Sequence, residues 1–191
     1  MDDEESILTI DENGNKEWRN KNGELHRLDG PALQYRFGED QWYQNGQLHR
    51  VDGPAIEYSD GSKSWYQNGE KHRLDGPADH WSNGEMEWYQ NGVRHRIGGP
   101  AFEDLDGKKI WYQNGLCHRI DGPAIEHKEG GREWYQNGER HRIDGPAIEW
   151  HNGKKDWYIR DNKFETKEDF FDALNDEEKE IALYSEDFHN A

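Results

Sequence analysis

Pro54-Ala55-Ile56-Glu57-Tyr58-Ser59-Asp60-Gly61-Ser62-Lys63-Ser64-Trp65-Tyr66-Gln67-Asn68-Gly69 is the stretch whose reading decides the fold. Ile56 and Tyr58 alternate with Glu57 and Ser59, Asp60-Gly61 marks a tight turn, and a second short run ends in Trp65-Tyr66 before Asn68-Gly69 reverses the chain again. Two-residue alternation on either side of an Asp-Gly turn is the pattern of a β-hairpin. The connector His72-Arg73-Leu74-Asp75-Gly76-Pro77 leads into the next such stretch. Proline has a fixed φ and no N–H to donate, which suits the approach to a strand.

The stretch is one copy of a 23-residue unit. Trp42, Trp65, Trp88, Trp111, Trp134 and Trp157 are spaced by 23, and all six prolines (Pro31, Pro54, Pro77, Pro100, Pro123, Pro146) fall in Gly-Pro-Ala. Trp18 precedes the series by 24. A unit this small cannot bury its own apolar face, so neighbouring copies must cover it and the end copies need caps. The expected fold is mainly β: an elongated single sheet of stacked antiparallel β-hairpins with a short C-terminal helical cap. Residues 1–18 read as an acidic segment and capping hairpin, 19–163 as the repeats and 164–191 as an acidic helical cap. Taking Trp and Tyr as neighbours on one strand, stacking would place a Trp ladder on one face and a Tyr ladder on the other. Thr166 to Asp169 and Asn175 to Glu178 read as the starts of two short helices.

Composition supports a thin fold. Only 31% of the chain is hydrophobic and 34% is charged, yet it holds nine Trp, nine Tyr and six Phe, which bury much area per residue. A single cysteine, Cys117, excludes a disulfide framework and a cysteine zinc site. The acidic start lacks the pattern of a signal peptide, and no run reaches membrane-spanning length, so a cytoplasmic protein with no membrane contact is expected. The net charge of −17 sits mostly at the ends: residues 164–191 carry ten acids against Lys167 and Lys179. The near-neutral repeat body argues against nucleic-acid binding, which needs a basic footprint. An acidic tail that mimics nucleic acid fits the charge better, beside the ordinary reading of a solvated helical face.

Gly-x-x-His before a glycine turn, alternating strand residues, then Asp-Gly with a Trp about four residues on, resembles the MORN repeat over residues 8–158. The variant of bacterial antitoxin-like, phage and giant-virus proteins is the closer likeness. The connector His-Arg-x-Asp-Gly-Pro-Ala departs from the usual shorter His-Gly-x-Gly. The resemblance implies a scaffold or binding surface of stacked hairpins and no catalytic residue.

Two sets of residues are candidates for function. The first is the connector ladder, where Arg50, Arg73, Arg96, Arg119 and Arg142 could hold an anionic nucleotide against the aromatic rows. The architectural alternative pairs each Arg with the nearby Asp and bonds each His to backbone carbonyls. It is favoured because a residue needed to fold every copy recurs in every copy. Equivalent histidines would lie about 9–10 Å apart, too far to share a metal ion. The second set breaks the repeat: His80, Trp81, Phe102, Asp104, Leu105, Trp150 and His151 could form an aromatic-anchored partner patch, or could be tolerated drift. No phosphate loop, nucleophile elbow or metal spacing appears, so no enzyme and no cofactor is expected. The expected role is a phage or viral protein that binds and inhibits a host protein. A nucleotide sponge and a structural or virion component are the alternatives.

Overall fold

The computed structural model describes residues 6–189. Residues 1–5 of the expected N-terminal segment and residues 190–191 of the expected cap lie outside them. The chain is mainly β and divides into two compact units, Met1–Val93 and Arg94–Ala191.

In the first unit eight strands follow one another in antiparallel order: Ile7–Ile10, Lys16–Arg19, Leu33–Gln34, Asp40–Gln41, Ile56–Glu57, Lys63–Ser64, Asp79–His80 and Met86–Glu87. The second unit continues the pattern in Phe102–Glu103, Lys109–Ile110, Ile125–Glu126, Arg132–Glu133, Ile148–Glu149, Lys155–Ile159 and Asn162–Phe164. Register follows the repeat: Ile56 faces Ser64 and Gln41, and Ile125 faces Glu133 and Ile110. Each hairpin tip is closed by a glycine with positive φ, as where Gly61 (φ 88°) donates its N–H to the Tyr58 carbonyl at 3.0 Å. The Ile7–Ile10 and Lys16–Arg19 pair supplies the N-terminal hairpin without a Gly-Pro-Ala start.

Each copy carries a second, smaller hairpin that the one-strand reading of Trp-Tyr did not contain. Tyr66–Gln67 pairs with Glu70–Lys71, and Tyr135–Gln136 with Glu139–Arg140, around Asn-Gly. Asn68 (φ 51°) and Gly69 (φ 82°) both lie in the left-handed region that a two-residue turn of this hand requires. Trp65 therefore lies between two strands, at a bend. Its N–H donates to the Ala78 carbonyl at 2.7 Å and its carbonyl accepts the His72 N–H at 3.0 Å. The expectation of a continuous strand with Trp and Tyr on opposite faces is corrected accordingly. From Trp42 to Trp134, Tyr stays in a strand of the small hairpin and Trp becomes the pivot, because the main-sheet strand before it is only two residues long; Trp18 and Trp157 remain within longer strands.

The buried residues of the repeats are small or aliphatic, with some polar ones among them. The Gly-Pro-Ala alanines Ala32, Ala55, Ala78, Ala101, Ala124 and Ala147 are fully buried. Leu33, Ile56 and Ile148 occupy one inward position, and Asp79 stands at the same repeat position. Asp79 is fully buried and accepts from Ser64 Oγ and Lys71 Nζ, both 2.5 Å away. Buried carboxylates survive only when paired in this way.

At the C-terminus three helices form: α1 (Lys167–Ala173), α2 (Asp176–Tyr184) and α3 (Glu186–His189). Thr166 Oγ1 caps α1 by accepting the Asp169 N–H, and Asn175 with Glu178 forms a reciprocal capping box on α2. The sequence pattern marks only the first two of these helices. The third delivers Phe188 to a cluster with Trp157, Phe170, Leu174 and Ala182.

Candidate interaction site

The connector ladder is built from contacts that stack one copy on the next. Arg119 lies with its guanidinium carbon 4.1 Å from the Trp111 ring centre, and Arg27, Arg50, Arg73 and Arg142 cover Trp18, Trp42, Trp65 and Trp134 at 4.0–4.1 Å. On its other side the guanidinium lies against the glycine of Gly-Pro. A Cβ on Gly122 would sit 3.0 Å from the Arg119 carbon, and one on Gly145 would sit 2.8 Å from that of Arg142. That close approach explains why the residue before each proline is glycine. Arg119 Nε donates to Asp121 at 3.0 Å, and its Nη1 to the Pro123 carbonyl at 3.1 Å and to Glu126 at 3.0 Å. The hydrogen bond from Arg119, with the guanidinium charge behind it, holds the Asp121 carboxyl below the usual carboxylate range. Arg50, Arg73 and Arg142 make the same Asp and Pro contacts, so four of the five candidate anion-binding arginines are held by the fold itself. Arg96 donates to the Pro100 carbonyl at 2.9 Å and to Glu103 at 3.2 Å.

The histidines work differently from the expected carbonyl bonding. His49 Nδ1 accepts the backbone N–H of Asn68, and His72, His95 and His118 do the same for Asn91, Asn114 and Asn137, at 3.0–3.2 Å. Imidazole thereby locks the Asn-Gly turn of the following copy. His141 departs from this: its Nδ1 is buried without a hydrogen bond, and Arg160 stands at the position of those Asn residues. Burial, aided by the Arg160 charge, pushes the His141 pKa down. Among the described residues no group of three His, Cys, Asp or Glu side chains could hold a metal ion. Cys117 is half-buried, and burial with the Glu133 charge pushes its thiol up to about 12, which leaves it a poor nucleophile.

The repeat-breaking residues fall at two places on the hairpins. Asp104, His127 and Trp150 occupy one repeat position at successive tips of the second unit. There a groove of about 730 Å³ brings Asp104, Trp150 and His151 together with Lys108, His127 and Lys128. Trp150 Nε1 donates to Asp156 Oδ2 at 2.6 Å, which fixes the indole at the rim. His127 Nε2 lies 2.9 Å from Glu133, and Lys128 Nζ donates to Asp106 of the neighbouring tip at 2.7 Å. Leu105 is exposed at the same tip as Asp104. Phe102 does not join the groove. It faces away from Glu103, with the Arg94 guanidinium 5.7 Å from its ring. In the first unit Trp81 stacks on Tyr58 at 5.5 Å, and His80 is exposed at the position where other copies carry a Glu that receives the connector Arg.

One row escaped the sequence reading. The x of His-Arg-x-Asp is Leu28, Val51, Leu74, Ile97, Ile120 or Ile143, always aliphatic although it sits in a turn. The signal was available: a turn residue has no packing reason to be apolar in every copy. No family profile and no curated protein sequence matches this chain. Among the described residues no helix is long and apolar enough to cross a membrane.

Proposed function

We propose that the chain is a non-catalytic protein-binding module of the MORN-variant kind, a phage or viral protein that acts in the host cytoplasm by binding and inhibiting a host defence factor or toxin. The observation that carries the reading is a division of labour within each copy. The recurrent Trp, His, Gly and Ala side chains, with Nε and Nη1 of the recurrent Arg, are engaged within the repeat body, whereas residues that differ between copies line the tip groove at Asp104, Trp150 and His151. Such a groove, with an indole at its rim and charges of both signs, suits a polar protein surface with an aromatic anchor. The held arginines leave little cationic surface for a nucleotide, which favours a protein partner over the sponge. The viral origin rests on the repeat resemblance and on the acidic ends alone.

Affinity capture from host lysate tests this, with the full chain and its Trp150→Ala, His151→Ala double variant as baits. A protein retained by the first and lost by the second is the expected result. Retention of none by either bait would refute the proposal.

A further inference from the structure

The exposed aliphatic row points to a second docking surface. Ile97 and Ile120 in the second unit are 81% and 79% exposed, and Val51 and Leu74 in the first are 78% and 75% exposed. Ile143 is the exception, and the reason is visible. The C-terminal helices cover it, packing it against the cluster of Trp157, Phe170, Leu174, Ala182 and Phe188. Around it Ser185 Oγ donates to the Asp144 carbonyl at 2.7 Å, and the Asp187 carboxylate accepts from Arg142 Nη2. The chain thus contains one worked example of what fits a connector: an acidic helical segment with an apolar face, its aspartate on the outer nitrogen of the arginine.

One copy earlier the same chemistry is present and uncovered. Arg119 uses Nε and Nη1 as Arg142 does, while its Nη2 donates to no carboxylate among the described residues. A groove of about 570 Å³ is lined by Arg119, Ile120 and Asp121 of this connector, by the edge of the next at Arg142 and Ile143, and by Ile181 and Asp187 of the cap. Ile181 is itself half-exposed on α2, so the apolar strip of the cap continues into the groove. Singly exposed aliphatic side chains are ordinary; it is the continuation of Ile120 into an apolar strip with Ile181 of the cap that marks this face as a candidate interface.

We infer that Ile97, Ile120 and the groove beside the cap bind an acidic amphipathic helix of a partner protein, seated with its apolar face on the isoleucines and a carboxylate on Arg119 Nη2. The inference rests on the reading of the chain as a protein-binding module and adds a surface apart from the tip groove. A helix is preferred to an extended peptide because the element that covers Ile143 in this chain is helical, and acidic because the unfilled donor is a guanidinium.

The test uses the full chain and a fluorescein-labelled peptide with the sequence of residues 174–189, read by anisotropy. Saturable binding is expected, weakened about tenfold or more by Ile120→Asp and by Arg119→Gln and unchanged by Trp150→Ala. Because Ile120 is exposed, Ile120→Asp should unfold at the same urea concentration as the parent, which separates lost binding from lost folding. Absence of saturable binding, or binding indifferent to Ile120→Asp, would overturn the inference. So would sedimentation showing that two copies of the chain associate through this face and part on Ile120→Asp. Failure here alongside a captured partner that depends on Trp150 would leave the broader proposal standing.

Discussion

Trp111 and Trp157 occupy the same repeat position and are satisfied in opposite ways. Trp111 is roofed by Arg119, a cation held by Asp121, Glu126 and a proline carbonyl, in a site that stays partly open to water. Trp157 has no following connector and is buried under Phe170 at 4.7 Å and Phe188 at 5.9 Å. The body of the protein solves its packing with charged, hydrogen-bonded roofs that can be repeated indefinitely, and its end solves the same problem once, with a small apolar core. A chain that is only 31% hydrophobic can afford that second solution in one place.

The comparison predicts where the chain is most fragile. Phe170 is fully buried at the centre of the cap, so Phe170→Ala should lower stability by about 3–5 kcal/mol, with helical circular dichroism lost before the β signal on titration with urea. A loss of both signals together would mean that cap and repeats form one cooperative unit. Gly122→Ala places a methyl group against the Arg119 guanidinium and should cost about 1–3 kcal/mol by lifting the roof off Trp111, seen as increased quenching of tryptophan fluorescence.

A smaller effect of opposite sign is expected at Arg160. Arg160 (φ 50°) and Asp161 (φ 60°) occupy the left-handed turn positions held elsewhere by Asn and Gly. Arg160→Asn should stabilise the chain by about 0.5–1 kcal/mol, since Asn tolerates this region better. It should also soften the pH dependence. The folded state keeps His141 neutral by holding its pKa below 6.5, so the unfolded chain takes up the proton first. The His141 contribution is therefore intact above pH 6.5 and is lost as pH falls from there through the folded value. Urea midpoints between pH 7.5 and 5 should fall less for Arg160→Asn than for the parent, because the variant removes the neighbouring cation that helps to push the His141 pKa down.

Much of the fold was legible because the 23-residue period forces equivalent residues together. Asp60-Gly61 and Asn68-Gly69 name their turns from backbone requirements alone, and both are turns in the structure. Asp104 and Trp150 share one repeat position, which stacking carries along one edge; in the sequence they stand out only because they break the repeat, as do His80, Trp81, Phe102, Leu105 and His151. What could not be read were features that alternation does not encode. Strands of two residues leave no run long enough to show that the chain bends at Trp65. The Asp79 substitution in the buried row was passed over for its neighbours His80 and Trp81, because a charged residue in a short strand reads as exposed until its partners Ser64 and Lys71, 15 and 8 residues back, are brought to it. Phe102 shares the repeat position of Asp79, and a strand of two residues does not show in the sequence which face it occupies. Helix α3 spans only Glu186–His189, too short for apolar periodicity to register.

The central claim is that the recurrent Arg serves to roof the preceding Trp, and a double-mutant cycle tests it most directly. Trp111→Leu, Arg119→Gln and the double variant should be compared with the parent by urea unfolding. A favourable coupling of about 1 kcal/mol between the two sites is predicted, as for a partly exposed guanidinium over an indole. Strictly additive effects would contradict it and return the arginine ladder to the surface as a set of available ligand groups.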